Sequence, residues 1–479
     1  MSQGKIVTAD IAVIGGGSGG LSVAAGAAQM GAKVVLIEKG MMGGDCLNTG
    51  CVPSKALLAA GHAAQMARDS GRFGVNGHQP EIAFRKVHDH VHDVIAGIAP
   101  HDSVERFESL GVQVIQAAAR FTGPRALEAG GTTVRARRFV IATGSSAAVP
   151  PIEGLAALPY LTNESIFELT ELPAHLIVLG GGPIGIEMAQ AFRRLGAKVS
   201  VVEAFGILAK DDPDAVQVVR EALLREGVTL RENVKVTTAR REGNGIALDL
   251  ADQAGASETI QGSHLLVAAG RQPNVNGLGL EAAGVAYSRK GIEVDARLRT
   301  SNKRIFAIGD VAGGYQFTHM AGYHAGIVIR NALFKLPAKV KYDAVPWVTY
   351  SDPELAHVGM GEAAARDKHG AVKDLTWHFA DNDRARAERA TEGLIKVAVG
   401  AKGQIYGATI VGAHAGELIL PWVLAIDKGL KIGDMAGIIA PYPTLSEVSK
   451  RAAGSYYTPK LFSPRTRKIV GLLQRLDWF

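Results

Sequence analysis

The stretch Asp10-Ile-Ala-Val-Ile-Gly-Gly-Gly-Ser-Gly-Gly, closing at Gly20, decides the fold of this chain. A hydrophobic strand runs directly into Gly15, Gly17 and Gly20, spaced as G-x-G-x-x-G, and an alanine-rich helix pattern follows. Glycines so placed let the backbone close on a pyrophosphate at the N-terminus of that helix. The next strand, Lys33-Val-Val-Leu-Ile-Glu, ends in Glu38, 23 residues after Gly15, where a carboxylate accepts from ribose hydroxyls. A glycine triplet alone is a weak signal. Strand, triplet, helix, strand and terminal acid in that order are specific.

The unit recurs. Leu176-Ile-Val-Leu-Gly-Gly-Gly-Pro-Ile-Gly-Ile-Glu carries Gly180, Gly182 and Gly185, and its acid is Glu203, again 23 residues after the first glycine. Both copies reach the second strand through Gly-Ala-Lys-Val. An internal repeat of this kind predicts two dinucleotide-binding domains and two dinucleotides, in preference to one working fold and one relic.

Composition is that of an ordinary globular protein: 479 residues, 47% hydrophobic and 20% charged, with 58 glycines. That length suggests about three domains. The net charge of +6 is modest and spread along the chain, so no nucleic-acid surface is expected. Ile11 to Ala32 carries no charge, but its seven glycines read as strand, turn and helix, and no transmembrane segment is expected. Met-Ser-Gln-Gly-Lys runs straight into a strand pattern without a leader, which predicts a cytoplasmic location.

Only two cysteines occur, Cys46 and Cys51, within Gly43-Gly-Asp-Cys-Leu-Asn-Thr-Gly-Cys-Val-Pro-Ser-Lys55. A pair this close can form a disulfide without disturbing the rest of a fold. Pro53 suits the first turn of a helix, and Cys51 then sits near a helix N-terminus, where the dipole favours a thiolate. Buried free thiols are the bland alternative. The whole stretch resembles the redox-active motif of the flavoprotein disulfide reductases, a family that includes glutathione reductase, dihydrolipoyl dehydrogenase and mercuric reductase. The resemblance extends, motif by motif, over about residues 8 to 455.

What it implies is an α/β chain with two Rossmann-like dinucleotide-binding domains, for FAD and NAD(P), and a C-terminal α+β dimerisation domain. The expected boundaries are 1–150 and 272–344 for the FAD domain, 151–271 for the NAD(P) domain inserted in it, and 345–479 for the interface domain of a homodimer. On the same resemblance Glu38, Lys39, Gly44, Thr143 and Gly144 belong to the FAD site. Gly270, Arg271, Gly309 and Asp310, at later strand ends, are likewise expected to bind cofactor. Asp310, closing Ile305-Phe-Ala-Ile-Gly-Asp, would meet the ribityl hydroxyls. Lys55 and Glu187 match an ion pair beside the flavin, Cys51 the thiol against the ring, and Cys46 the interchange thiol. Electrons would run from nicotinamide through flavin to the disulfide. Glu203 disfavours a 2′-phosphate, and no arginine lies between Ala204 and Asp212 to receive one, so NADH is expected over NADPH.

One departure stands out. Thiol-reducing members carry His-Pro-Thr-x-x-Glu, whereas this chain has Tyr442-Pro-Thr-Leu-Ser-Glu447. An ordinary phenol, with a pKa near 10, is a poor proton shuttle at neutral pH. Mercuric reductases resemble the chain in having tyrosine there, but they also carry a C-terminal cysteine pair, which is absent here. The expectation is a mercuric reductase-like enzyme reducing a metal ion, quinone or unusual disulfide. The alternatives are a dihydrolipoyl dehydrogenase-type enzyme and a redox-responsive flavoprotein with little turnover. His88, His90 and His92 alternate with acids on a predicted helix. The first and third share a face and could bind a metal, but the solvated face of a long helix is the preferred reading and no metal site is expected.

Overall fold

The computed structural model describes residues 5–77 and 79–475. Met1 to Gly4, on which the expectation of no leader rests, lie outside the described residues, as do His78 and 476–479. Packing divides the chain into two compact units: Met1–Gly206 with Gly227–Val340, and Ile207–Glu226 with Lys341–Phe479.

The first unit contains both copies of the repeat. In the first copy, parallel strands Val112–Gln116, Val34–Glu38, Lys5–Ile14 and Thr132–Ile141 lie side by side, and the last also pairs in parallel with Ile305–Ala307. The register sets Ile14 against both Ile37 and Ile141, and Ile141 against Ala307. The residues that follow these positions therefore emerge at one sheet edge: Gly15, Glu38, Thr143 and Gly309. That carboxyl-terminal crevice is where open α/β sheets bind ligands. The opposite half of Thr132–Ile141 pairs antiparallel with Ala126–Ala129, which pairs in turn with Ala119–Gly123. Val13, Val35, Leu36, Phe139 and Val140 are fully buried, as a two-sided sheet requires.

The second copy is a four-stranded parallel sheet in the order Thr229–Arg231, Lys198–Val202, His175–Leu179, His264–Val267. Leu179 pairs with Val202 and Val267, which brings Gly180, Glu203 and Gly270 to its own carboxyl edge. An antiparallel meander, Val234–Glu242, Gly245–Asp252 and Ser257–Gly262, precedes the last strand. The predicted helical stretch from Ile82 to Leu110 is interrupted: helix Phe84–Ile98, a 3-10 turn Ala99–Asp102 containing Pro100, then helix Val104–Ser109. Proline cannot donate within a helix, and the break falls there.

The second unit is a five-stranded antiparallel sheet, ordered Pro346–Thr349, Glu354–Gly359, Ile405–Gly412, Leu394–Gly400, Val372–His378. Trp422 and Phe379 are completely buried in its core, and the Trp422 indole donates to Ser449 Oγ at 3.0 Å. Helix Pro213–Arg225 belongs to this unit. Its N-cap Asp212 and first-turn Asp214 lie 2.9 and 2.7 Å from Lys396 Nζ, and the Trp347 indole donates to Asp211 at 2.7 Å.

The glycine triplets show why their spacing is strict. A Cβ on Gly20 would stand 1.9 Å from Gly15 O, and one on Gly185 would stand 2.0 Å from Gly180 O. A Cβ on Gly182 would meet nothing within 4 Å. Gly20→Ala should therefore lower the urea-unfolding stability by about 1–3 kcal/mol, whereas Gly182→Ala should unfold like the parent and weaken only the dinucleotide binding expected at the second turn.

Candidate redox centre

Cys46 lies in the short helix Gly44–Asn48, and Cys51 is the first residue of the long helix Cys51–Asp69. Gly43 and Gly44 are left-handed, with φ of 87° and 60°, which only glycine adopts freely. A Cβ on Gly44 would fall 2.7 Å from Gly17 Cα, so the redox segment is packed backbone to backbone against the first nucleotide turn. Pro53 occupies the first turn, as its chemistry favours.

Both sulfurs are free thiols, hydrogen-bonded to each other. That contact separates their acidities. Cys51 is lowered to about 6, first by the hydrogen bond from Cys46, then by Thr318 and the Lys55 charge, against burial and Asp45. Cys46 is driven far up, by its hydrogen bond to Cys51, by burial, and by repulsion from the Cys51 charge. The reduced pair thus holds one proton on Cys46 and one negative charge on Cys51. Thr318 Oγ1 stands 3.4 Å from Cys51 Sγ, and Ser18 bonds Cys46. Sequence reading missed both, for nothing in the cysteine stretch announces a hydroxyl 267 residues away.

Lys55, one turn into the same helix, donates to Glu187 at 2.8 Å. Glu187 stands on helix Pro183–Arg194, which opens the second copy of the repeat, so this pair ties the two copies together. Asp310 accepts from Ser145 Oγ at 2.6 Å, and burial raises its pKa. Arg271 donates to Ser145 Oγ at 2.7 Å and lies 3.2 Å from Asp45, which accepts from Asn163 at 2.7 Å. Thr143 and Asn274 exchange two hydrogen bonds, 2.8 and 3.0 Å. Lys39 lines a hollow with Ser146, Gln272 and Asn274.

The two acids are held alike. Glu38 accepts from the Gly16 and Gly40 amides, and Glu203 accepts from Gly181 at 2.7 Å and Phe205 at 3.0 Å. The turns at Gly15 and Gly180, with φ of 109° and 120°, press against Ala142 O and Ala268 O in the same way. Gly17 and Gly182 keep an open approach to their helix N-termini, and both cradles fit a dinucleotide pyrophosphate.

In the second unit, Tyr442 is exposed and its hydroxyl donates to Asp383 at 3.2 Å; the Asp383 charge raises the phenol pKa further. Glu447 begins helix Glu447–Ser455. Away from these centres, His88 and His92 share a face of helix Phe84–Ile98, and Glu168 joins them.

Two nucleotide cradles, a thiol pair packed on the first and an ion pair joining its helix to the second describe a flavoprotein disulfide reductase. The chain belongs to the pyridine nucleotide-disulphide oxidoreductase family: that family's model matches residues 9–325, and the family's dimerisation domain matches 345–453. It is 36% identical to a mercuric reductase of Streptomyces lividans, over 93% of this chain and 96% of that protein. It is also 36% identical to a dihydrolipoyl dehydrogenase of Geobacillus stearothermophilus, over 92% and 94%. Among solved structures, a Cu(II) complex of the HOCl-induced flavoprotein disulfide reductase RclA from Escherichia coli superposes with TM-score 0.82 at 29% identity, covering 92% of this chain and 98% of that one. LpdA from Mycobacterium tuberculosis superposes with TM-score 0.84 at 28% identity, covering 94% and 99%. The chain is an FAD- and pyridine nucleotide-dependent oxidoreductase, and none of its helices among the described residues is long and apolar enough to cross a membrane.

Iodoacetamide alkylation of Cys51 in the reduced protein should follow a thiolate titrating at about pH 6, present above it and lost below. Thr318→Val withdraws a donor to the thiolate and should move that midpoint upward. An unchanged midpoint would remove Thr318 from the centre.

Proposed function

We propose that the chain is an NADH-dependent flavoenzyme that reduces a thiophilic metal ion at Cys46, in the manner of mercuric reductase. The observation that carries this reading is the hydroxyl at position 442, bonded to Asp383 and driven away from ionisation, where thiol-reducing relatives use an imidazole. Such a group can donate a hydrogen bond but is a poor carrier of the proton that a disulfide substrate must receive.

Bound FAD and nicotinamide supply a two-electron relay. Glu38, Asp310 and the first glycine turn would hold FAD, and Glu203 with the second turn would hold NADH. Lys55, kept in place by Glu187, would set a positive charge beside the flavin. The balance at the sulfurs is NADH plus disulfide giving NAD⁺, one thiol on Cys46 and one thiolate on Cys51. This matches the split acidities of the pair. A divalent thiophilic ion bound by both sulfurs then takes two electrons, the disulfide re-forms, and the Cys46 proton leaves. In this family's arrangement Tyr442 and Glu447 would reach the pair from the partner subunit of a homodimer. We divide the chain as 1–150 and 272–344 for FAD, 151–271 for NADH and 345–479 for the interface.

The choice of NADH rests on Glu203. Its carboxylate is pinned by two backbone amides and cannot swing away from a 2′-phosphate. Like charges about 4 Å apart at an effective dielectric of 20 cost about 4 kcal/mol. Arg231, the register neighbour of Val202, gives its guanidinium to Glu258 at 2.8 and 2.9 Å. Glu203→Ala should accordingly narrow the NADH preference, measured as the ratio of kcat/KM for the two nucleotides. A wild-type protein preferring NADPH would reverse this assignment.

A second reading, dihydrolipoyl dehydrogenase-type exchange, is favoured by the equal 36% identity to that enzyme. An anaerobic NADH-oxidation screen with mercuric and cupric ions, glutathione disulfide and lipoamide separates the two. Metal-dependent turnover is expected, abolished in Cys46→Ser while NADH still bleaches the flavin. Tyr442→His should raise lipoamide turnover by roughly 10²-fold, the lower end for a general acid–base group. Fast lipoamide turnover by the unmodified chain, indifferent to Tyr442→Phe, would sink the metal-reductase reading.

A further inference from the structure

The geometry points to a second, peripheral site: His88, His92 and Glu168 form a three-ligand site for a borderline divalent ion of the Zn(II) class, outside the redox centre. One ligand atom from each lies within 4.8 Å of the others. The two imidazoles stand one helical turn apart on Phe84–Ile98 and stack with centroids 4.1 Å apart, and Glu168 comes from the 3-10 turn Ile166–Glu168.

The hydrogen bonds of the rings decide which nitrogens face the ion. His92 Nδ1 lies 3.0 Å from the His88 carbonyl oxygen, which only accepts, so Nδ1 carries the proton. His92 Nε2 is then the lone-pair nitrogen, and it faces Glu168 Oε1 at 3.3 Å. Two acceptors at that distance need a proton or a cation between them. His88 Nδ1 lies 3.1 Å from the Asp89 carboxylate, which accepts its N–H and leaves the lone pair on Nε2. A carbonyl and a carboxylate behind the two imidazoles are the partners that orient metal-ligating histidines and raise their basicity.

The alternative is a solvated ion pair. Such a pair engages only His92 and Glu168 and gives the stacked His88 ring no part in the contact. One divalent ion satisfies both rings and the carboxylate together. The His88 side chain is 15% exposed, that of His92 35% and that of Glu168 66%, so the imidazoles form the enclosed wall and the carboxylate closes the site from the surface. Two imidazoles and one carboxylate suit Zn(II), Co(II), Ni(II) or Cu(II) and not the oxygen-seeking Mg(II) or Ca(II). Three protein ligands leave a position open to water. An ion here staples helix Phe84–Ile98 to the segment that leads from the first nucleotide-binding copy to the second.

The test is a Co(II) titration of tag-free, FAD-loaded, chelator-treated protein with Cys46 and Cys51 oxidised to the disulfide. One Co(II) per chain is expected, with visible ligand-field absorbance, displaced by Zn(II) and unaffected by Mg(II). His92→Ala and Glu168→Gln should each weaken binding at least 100-fold while FAD content and NADH-driven flavin reduction stay unchanged. Asp89→Asn, which leaves every ligand in place, should weaken it about 10-fold. Stoichiometric binding that survives in His92→Ala overturns the site, as does an absence of binding at millimolar Co(II). Binding abolished only by Cys46→Ser places the ion at the thiols and overturns it equally.

Discussion

Helix Cys51–Asp69 lies against helix Pro183–Arg194, and the redox centre depends on that contact. At Gly61 the two backbones run close together: a Cβ there would sit 3.4 Å from Ala191 Cα, in ordinary van der Waals contact. One turn after Cys51, the same helix pair is fastened by Lys55 and Glu187 at 2.8 Å, with the Glu187 side chain only 6% exposed. The Lys55 side chain is 38% exposed, so solvent screens the pair and its net worth is on the order of 1 kcal/mol or less. The pair is therefore weak evidence of stability and strong evidence of position. It places a cation at the end of the second nucleotide cradle and beside the thiol that begins its own helix.

From that placement follows the division of labour between the sulfurs. Cys51, at a helix N-terminus with Thr318 and Lys55 near it, keeps a negative charge at neutral pH. Cys46, hydrogen-bonded to that charge, keeps the proton. A two-electron donor that delivers one proton with its electrons leaves the pair in this state, so reduction needs no further acid. Proton delivery becomes limiting only at the acceptor. In the function proposed above the group at the acceptor is Tyr442, which Asp383 holds protonated. The flavin side is thus equipped for any member of the family, and the acceptor side discriminates.

Much of this was legible in the sequence because backbone constraints leave a fixed spacing. Gly15, Gly20, Gly180 and Gly185 cannot be other residues without steric collision, and Glu38 and Glu203 must end the neighbouring strand to reach Gly16 and Gly181. The cysteine stretch was legible for the same reason, since left-handed Gly43 and Gly44 allow it to press on Gly17. What the sequence hid are contacts made by ordinary residues across long separations: Thr318 with Cys51, Ser145 between Asp310 and Arg271, Asn163 on Asp45. A lone threonine or serine has no periodicity to mark it. Helix Pro213–Arg225 was hidden too. It follows the second acid in the chain but packs, through Asp212 and Asp214 on Lys396, with the C-terminal sheet.

The histidine cluster shows the same limit from the other direction. Two ligands at i and i+4 were visible as a helix face, and on that alone a solvated surface was the better reading. The third arrives from a turn 76 residues later, and the partners that fix the ring protons are a main-chain carbonyl and a carboxylate adjacent in sequence. A metal site needs a ligand set and the groups that orient it. Helical spacing reports part of the first, and only the folded chain reports the second. Here the fold changes the balance because it aims a carboxylate at the one nitrogen of His92 that no backbone group has claimed.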